Sequence, residues 1–513
     1  MNLTEQLAAF ASNTTFSTLP TNVIEECKRD MLDSIGCALA AKGQSKADKG
    51  IACGVSIGGT DGPATIIGTG QRSSMFGAAF ANGEMISTLD ADSVLVPGHV
   101  SPYVLPGAFA VSEALHRSGR DLIAAVAVSH EMSYRFGVTM NGTREYRDGK
   151  AATAAVVGYS ATIFGATASA AKLKGLSTPQ IANALAIAAA TSPVNAHGAW
   201  LRHAPPSTIK YLMAGGLAQS ALTAAALGEQ GHRGDLQLLD DAEFGYPRFI
   251  GTTLWDTPKL TNGLGLEWNF PKYQMYKPYP HCRVMHAPLD ILINLVNKHD
   301  LRVEEIEAIT AYGEGWAYVL PSFMFREIRE PQDAQFSFAH GLAVAAHRIP
   351  PGPGWQDPKV VFDPSVMNLM AKVRLEVHPD SANAHAQNPS SRPSRVEIRA
   401  RGQVFTEDRL FPKGTPSSDP GSFMSTDELA AKFRSFTDGL VPAATVDNII
   451  DSVRHLEQVD DFATVMRKLG LSQTSRWHSV KKTKRGCCAC STNARSTMCW
   501  CVIAAAWTVV TGR

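Results

Sequence analysis

The segment TAAVVGYSATIFGATASAAKL, residues 153–173, consists almost entirely of small and apolar side chains. A helix that is apolar on most of its faces is buried, and small residues let neighbouring helix backbones approach one another closely. The same composition recurs at residues 122–136, 181–191 and 211–227. We therefore predict that the first half of the chain is built from closely packed, buried helices.

Composition restricts the class of protein. Of the 513 residues, 44% are hydrophobic and 19% are charged, a balance typical of soluble globular proteins. The net charge of +1 argues against a strongly basic nucleic-acid-binding protein. No apolar run reaches the about 18 residues that a membrane-spanning helix needs, and charged loops interrupt the apolar segments. We expect neither nucleic acid nor a membrane as a partner.

The N-terminus and the cysteines bear on location. The first 16 residues include Glu5 and show no basic segment followed by an apolar one, so no secretory signal is predicted. Cysteines scattered singly through a sequence suit a reducing compartment. Four follow this pattern: Cys27, Cys37, Cys53 and Cys282. The expected location is intracellular and cytoplasmic, with a mitochondrial location left open.

The sequence pattern changes near residue 270. Apolar and polar residues alternate at 303–312 and 373–377, which predicts half-buried strands, and residues 395–406 predict a hairpin around Arg401 and Gly402. Helical patterns return at 426–436 and 445–456. The predicted fold is mainly α, with a smaller α+β domain inserted before the C-terminal helices. The predicted boundaries are 1–269 and 412–470 for the helical domain and 270–411 for the α+β domain.

Residues 471–513 differ from the rest of the chain. They contain seven Lys or Arg, no acidic residue and five of the nine cysteines. Those cysteines match no standard zinc-binding spacing. We predict that this segment is an appendage that is largely unpacked and adds no core contacts.

Residues 89–99 form the first candidate site. Asp90, Asp92, Ser93 and His99 place two carboxylates, a hydroxyl and an imidazole within a short segment, enough for a base, an acid and a substrate hydrogen bond. The alternative is a polar loop in which Asp92 or Ser93 caps a helix.

Lys210 is the second candidate. It lies in a predicted helix of apolar and small residues, 208–227, and a lysine that faces inward there would be desolvated, so that its pKa would fall. Such a group suits proton transfer or the binding of a carboxylate. Alternatively, the side chain extends to solvent from the first helical turn. His197, Arg202 and His203 in the preceding loop raise the local positive charge.

Residues 276–286 form the third candidate. Lys277, His281, Cys282, Arg283 and His286 lie among prolines that restrict the backbone. Concentrated cationic groups suit a di- or tricarboxylate substrate, and the alternative is a proline-rich linker with solvated charges. Because no second Cys or His pair with familiar spacing accompanies this segment, no metal is predicted.

Several ordered blocks resemble the MmgE/PrpD family, which includes 2-methylcitrate dehydratase, cis-aconitate decarboxylase and iminodisuccinate epimerase. The resemblance extends over roughly residues 3–470. It rests on Asp33-Ser34-Ile35-Gly36, Glu131 with Arg135, GATASAAKLKGL at 165–176, Ala334-Gln335-Phe336-Ser337 and Lys432-Phe433.

The three candidate segments also resemble motifs of this family. Residues 89–101 are similar to its L-D-F-D-D-T…H-P-S segment, Lys210 to its K-x-x-x-x-G-x-A-A helix and residues 277–282 to its K-x-Y-P-x-C/H segment. The resemblance implies that Asp90, His99, Lys210 and Lys277 are catalytic. It further implies that four residues contact the substrate: Ser93, His203, His281 and Cys282.

The resemblance implies a lyase that acts on a citrate-like tricarboxylate without metal or organic cofactor, usually as a homodimer with the site between a helical domain and an α+β lid. The favoured reaction is dehydration of 2-methylcitrate or another 2-alkylcitrate. The alternatives are decarboxylation or epimerisation of a related polycarboxylate, and a non-catalytic homologue. The histidine that precedes the Ala-rich helix in the family's decarboxylases has Val156 at its place here, which argues against decarboxylation.

Overall fold

The computed structural model describes residues 1–470 except 143, 148, 149, 153, 155 and 211. The prediction of an unpacked appendage at residues 471–513 lies outside the described residues. No helix in the described ranges is long and apolar enough to cross a lipid bilayer.

Helices dominate the described chain, which confirms the prediction of a mainly α fold. The α-helices are α1 (Leu3–Asn13), α2 (Thr21–Ala40), α3 (Ser45–Gly58), α4 (Met75–Ser87), α5 (Ser101–Ala114), α6 (Gly119–Thr139), α7 (Thr162–Leu173), α8 (Thr178–Ala190), α9 (His197–Arg202), α10 (Ala214–Glu229), α11 (Tyr246–Ile250), α12 (Pro258–Thr261), α13 (Phe270–Tyr273), α14 (His286–Lys298), α15 (Pro321–Met324), α16 (Phe338–Ala346), α17 (Pro358–Val361), α18 (Pro364–Ala371), α19 (Ser381–Gln387), α20 (Thr426–Thr437), α21 (Ala443–Arg454) and α22 (Ala463–Leu469).

The strands are short and form three small sheets among the described residues. They are β1 (Ala64–Ile66), β2 (Gln71–Ser73), β3 (Glu145–Arg147), β4 (Lys150–Ala152), β5 (Ile306–Gly313), β6 (Val373–Val377), β7 (Ser394–Ala400) and β8 (Gln403–Arg409). The pairs β1–β2 and β3–β4 are antiparallel hairpins, and the larger sheet has the order β6-β5-β7-β8 with β5 and β6 parallel.

The larger sheet agrees with the strands that the sequence predicts. The β7–β8 hairpin turns at Arg401 and Gly402, and both have positive φ, as a two-residue turn between antiparallel strands favours. All four strands fall between residues 306 and 409, inside the segment assigned to the α+β domain. The division into domains stays a prediction.

Small residues allow the buried helices to pack closely. A Cβ atom on Gly165 in α7 would lie 2.3 Å from the backbone oxygen of Ser129 in α6, and one on Gly215 in α10 would lie 2.6 Å from Phe80 in α4. Both contacts are too short for any side chain. The Ala- and Gly-rich composition therefore sets the distance between these helices.

Two predicted helices begin later than expected. The segment predicted as helix from residue 153 becomes helical at Thr162, after β4 and a turn at residues 158–161. The helix predicted from residue 208 begins at Ala214, because Lys210 has a φ of +56°, which right-handed helix does not permit. Lys210 thus lies in a loop and not on a helix.

Gly165→Ala provides a test of the close α6–α7 packing. Alanine favours helix over glycine by about 1 kcal/mol, so a solvent-exposed site would gain stability. Here we expect a net loss of about 1–3 kcal/mol in the free energy of unfolding, because the methyl group would be forced against Ser129. Urea denaturation measures it. The control is Gly354→Ala, where a Cβ would meet no atom within 4 Å; equal effects of the two substitutions would refute the packing argument.

Candidate active site

The loop that follows α4 carries Asp90 and is held by side chains from distant parts of the chain. The last carbonyls of a helix lack partners within the helix, and here they and the next carbonyls accept hydrogen bonds from outside. Lys210 donates to Ser87 O (3.0 Å), Gln335 to Thr88 O (2.9 Å), Lys277 to Asp90 O (2.8 Å) and Lys432 to Ala91 O (2.7 Å). Three of the four donors are ammonium groups, so the loop is fixed by charge-assisted hydrogen bonds.

The Asp90 carboxylate is the centre of the candidate site. Its oxygens lie 2.8 Å from Lys210 Nζ, 3.2 Å from Lys277 Nζ and 3.4 Å from His99 Nε2, and the side chain is 2% exposed. Burial alone would raise the pKa of Asp90, but the ammonium groups of Lys210 and Lys277 outweigh burial and hold the pKa well below its usual range. Asp90 is therefore charged at every physiological pH.

Backbone strain accompanies this arrangement. Asp90 has a φ of +52° and Lys210 a φ of +56°, and left-handed backbone is unfavourable for a lysine by about 1–2 kcal/mol. Two residues in this region, paired with one another, are unusual for a purely structural ion pair. Strained backbone of this kind clusters at functional sites, where the surrounding structure holds it in place.

Lys210 is buried, which excludes the alternative in which it extends to solvent. The expectation that its pKa falls is wrong. Burial does lower the pKa of Lys210, but the facing carboxylate of Asp90, with Asp92 behind it, more than compensates and raises the pKa above its ordinary value. Lys210 is thus a permanent cation.

Asp92 and His99 form a second buried pair beside Asp90. His99 Nδ1 donates to Asp92 Oδ2 at 2.6 Å, and burial lowers the pKa of His99 although Asp92 opposes this change. Burial would raise the pKa of Asp92, but His99 reverses this and the pKa is lowered. His99 is therefore neutral at pH 7 with Nδ1 protonated, and Nε2, on the side of Asp90, is the atom that accepts a proton.

Asp90 and His99 line one cavity, which we call the catalytic cavity. Its wall combines aromatic rings with three guanidinium groups. The lining residues besides Asp90 and His99 are Val94, Gly98, Arg144, Tyr159, His197, Trp200, Leu201, Cys282, Arg283, Val284, Trp316, Phe323, Phe336 and Arg392. Lys210 and Lys277 lie behind Asp90, so the four residues predicted to be catalytic are brought together. Their catalytic roles stay predictions.

The three arginines of the catalytic cavity differ in their partners. Glu314 forms ion pairs with both Arg144, at 2.6 Å, and Arg392. Arg283 donates to Lys413 O at 2.7 Å and to the Thr415 hydroxyl, and no carboxylate of the described residues forms an ion pair with it. Burial lowers the pKa of Arg283 to about 9, and Arg392 adds to this effect. Arg283 is thus a buried guanidinium without a directly paired carboxylate, although the charges of Asp290 and Glu314 act on it.

The charges of the site do not cancel. Five cationic side chains (Lys210, Lys277, Arg144, Arg283 and Arg392) face three carboxylates (Asp90, Asp92 and Glu314), with His99 neutral. Cationic side chains therefore outnumber carboxylates among these residues, an arrangement that attracts anions such as a di- or tricarboxylate.

The structure places the four residues predicted to bind substrate in different surroundings. Cys282 lines the catalytic cavity, and burial raises the pKa of its thiol to about 12. Ser93 is buried and donates to Asp30 at 2.6 Å, and His281 packs beneath α16 with Nε2 3.4 Å from Ser337 O. His203 is exposed. Of the four, Cys282 alone lines this cavity.

Sequence reasoning missed several residues of the wall. Tyr159, which the sequence does not single out, lies in ring contact with His197, with 5.4 Å between the ring centroids. Burial lowers the pKa of His197 to about 3, so His197 is neutral and the expectation that it adds positive charge is wrong. Gly98, next to His99 in the sequence, is a residue that could have pointed to this wall. A Cβ atom on Gly98 would lie 2.0 Å from the Tyr159 hydroxyl, so glycine is required there. Arg144 and Arg392 belong to no motif that the sequence singles out.

Among the described residues, one group of side chains could hold a metal ion. Asp90, Asp92 and His99 bring potential ligand atoms within 4.8 Å of one another. Asp90 is already engaged by two ammonium groups, however, and a divalent cation would be repelled by both. The donor set therefore fits proton and anion chemistry better than metal binding.

Comparison with known proteins agrees with this geometry. Residues 5–256 match the MmgE/PrpD N-terminal domain, and residues 279–458 match the MmgE/PrpD C-terminal domain. The chain belongs to the MmgE/PrpD family.

Several curated MmgE/PrpD relatives are named cis-aconitate decarboxylase. The chain is 28% identical to the Mus musculus protein over 91% of this chain and 93% of that protein. It is 29% identical to the Homo sapiens protein over 75% and 77%, respectively. For the protein of Aspergillus terreus (strain NIH 2624 / FGSC A1156), identity is 22% over 91% of this chain and 96% of the relative.

Asp90→Asn tests the buried charge cluster. Removing one partner of a buried ion pair leaves an uncompensated charge, and here it would leave two ammonium groups facing a neutral amide. We expect the free energy of unfolding to fall by about 3–5 kcal/mol. The control is Asp447→Asn, in an exposed pair with Arg434, which should cost less than about 1 kcal/mol. Similar urea midpoints for the two variants would contradict the assignment of Asp90 as the anchor.

Proposed function

We propose that this chain is a lyase that acts on a citrate-like tricarboxylate, and that decarboxylation of cis-aconitate or a close analogue is its reaction. The observation that carries the proposal is the set of three arginines in the wall of the catalytic cavity, beside the buried pair of His99 and Asp92. The names of the relatives favour decarboxylation.

Substrate binding is proposed to use the arginines. Arg283, which forms no ion pair with a described carboxylate, would attract one carboxylate of the substrate, and its Nε, which makes no hydrogen bond, is the donor left for it. Arg144 and Arg392 would attract a second one, because both guanidinium groups line the catalytic cavity. These contacts would fix the substrate in one orientation, which lowers the entropic part of the barrier.

The proposed chemistry uses the ammonium groups of Lys210 and Lys277. As the carbon–carbon bond to the departing carboxylate breaks, carbon dioxide leaves. The electron pair moves through the double bond to the carbon beside another carboxylate, and that carbon takes up a proton. Negative charge develops on the oxygens of the neighbouring carboxylate, where fixed cations stabilise it. Lys210 and Lys277, fixed by Asp90, would supply this field.

His99 is the proposed proton carrier. A bound tricarboxylate places negative charge near the ring and so raises the pKa of His99, which allows it to arrive protonated and deliver the proton from Nε2. Asp92 holds the ring through Nδ1. The homodimer that the family resemblance implies is kept as part of the proposal.

Dehydration of a 2-alkylcitrate is the second candidate. Two observations favour it: His99 is neutral in the free protein and so suited to removing a proton, and Val156 stands where the family's decarboxylases have a histidine. Val156 is half-buried and does not line the catalytic cavity. The same cations would stabilise the negative charge in either reaction.

The deciding experiment incubates the purified protein with cis-aconitate, 2-methylcitrate and citrate, followed by mass spectrometry. A product of cis-aconitate that is lighter by carbon dioxide supports the first candidate, and a product of either hydroxy acid that is lighter by water supports the second. Absence of turnover with all three would favour a non-catalytic homologue.

Lys210→Ala measures the role of the fixed cations. If Lys210 supports the transition state, kcat should fall by about 10²–10³, the loss found when one electrostatic donor is removed. The fold should survive, because Lys277 still pairs with Asp90. Lys259→Ala, which removes a half-exposed lysine paired with Asp256, is the control and should retain activity. Full activity of a folded Lys210→Ala protein would exclude the proposed role.

Asp92→Asn separates the two candidate reactions through the pH profile of kcat/KM. Asp92 opposes the lowering of the His99 pKa, so its removal should lower that pKa further and move the limb governed by His99 to lower pH. In a decarboxylase that needs protonated His99, this limb is the one on which activity falls as pH rises. In a dehydratase that needs neutral His99, activity falls there as pH drops. An unchanged profile would remove His99 from the mechanism.

A further inference from the structure

A second cavity lies on the other side of the loop that carries Asp90. It encloses about 400 Å³, within the roughly 300–1,000 Å³ typical of small-molecule sites. Thr88 and Leu89 line this cavity, whereas the next residue, Asp90, lines the catalytic cavity. A short stretch of one loop therefore borders both cavities.

The wall of the second cavity is rich in donors. Lys46 and Lys49 come from the first turns of α3, and the Gln44 side chain that precedes this helix does not cap it. Unpaired N–H groups at a helix N-terminus attract anions. Asp48, in the same turn, does not line the cavity, and Glu330 is the acidic residue on its rim.

Gln356 provides an independent indication of a ligand. It lines the second cavity, is 6% exposed and makes no side-chain hydrogen bond within the described chain. The Gln356 amide atoms are not among the fully enclosed polar atoms that lack a partner, so the amide faces the open space of the cavity, where a ligand would replace water. An oxyanion would accept a hydrogen bond from the Gln356 amide nitrogen.

Lys46 also lacks full compensation. Its Nζ lies 3.8 Å from Glu84 Oε2, and burial lowers its pKa to about 8 despite Glu84. The same atom donates to the Ser87 hydroxyl at 2.8 Å, and the Ser87 carbonyl accepts from Lys210 at 3.0 Å. Lys46 thus connects the second cavity to the ammonium group that contacts Asp90.

We propose that the second cavity is a binding site for a small oxyanion that carries carboxylate or phosphate groups, distinct from the catalytic cavity. The ligand sits between Lys46, the first turn of α3 and Gln356. Lys46, which would contact this ligand, donates to the hydroxyl of Ser87, the last residue of α4 before the loop that carries Asp90.

Isothermal titration calorimetry of the full chain with inorganic phosphate and with succinate tests this site, and the stronger ligand identifies the chemistry. Lys46→Gln should weaken binding about tenfold, the loss typical of one charge-assisted hydrogen bond. Gln356→Leu should weaken it severalfold without harming the fold, since no hydrogen bond is lost. Lys298→Gln, on an exposed part of α14, is the control for lost charge and should bind as the unaltered protein does.

Arg283→Gln distinguishes the two cavities. If the anion occupies the second cavity, this substitution leaves its binding unchanged. The proposal is overturned if neither anion binds saturably, or if Arg283→Gln abolishes binding while Gln356→Leu and Lys46→Gln leave it intact. The measurement needs no turnover, so its outcome does not depend on the proposed lyase activity.

Discussion

The buried ion cluster of Asp90 with Lys210 and Lys277 is the constraint on which the rest of this structure depends. Three charges removed from water are tolerated only when each is paired and every remaining polar atom is satisfied. Lys210 donates both to the Asp90 carboxylate and to Ser87 O, and Lys277 donates to Asp90 O while its Nζ lies 3.2 Å from the second carboxylate oxygen. The positive φ angles at Asp90 and Lys210 follow from the need to bring these groups together.

The cluster supports the proposal that the site binds anions. Asp90 holds two lysines, and Glu314 holds two arginines. Each carboxylate thus fixes its cations in place. Because these groups are already oriented, little reorganisation is needed when negative charge develops on a substrate, and this is the main source of electrostatic catalysis.

The sequence predicts the helices and the larger sheet well because they depend on local periodicity and composition. Dense polar segments make Asp90, His99 and Lys277 candidates, and the family resemblance favours them over a polar loop or a linker. The sequence misjudges Lys210: the helix begins six residues later than predicted, and the pKa of Lys210 moves opposite to the effect of burial because of the distant Asp90. Arg144 and Arg392 escape notice for the same reason: the tertiary contact with Glu314 defines them, and no sequence spacing does.

The two carboxylates of this loop, Asp90 and Asp92, differ in their roles because they have different partners. Asp90 faces the ammonium groups of Lys210 and Lys277, which hold its pKa well below its usual range, so its charge is constant and serves as an anchor. Asp92 faces an imidazole whose pKa burial has lowered, so this pair gains or loses a proton when the charge nearby changes. Neighbouring titratable groups with pKa values driven apart are the usual basis for acid–base roles in one site. In the proposed mechanism, a substrate that brings negative charge would raise the pKa of His99 and favour its protonation, while Asp90 keeps its charge.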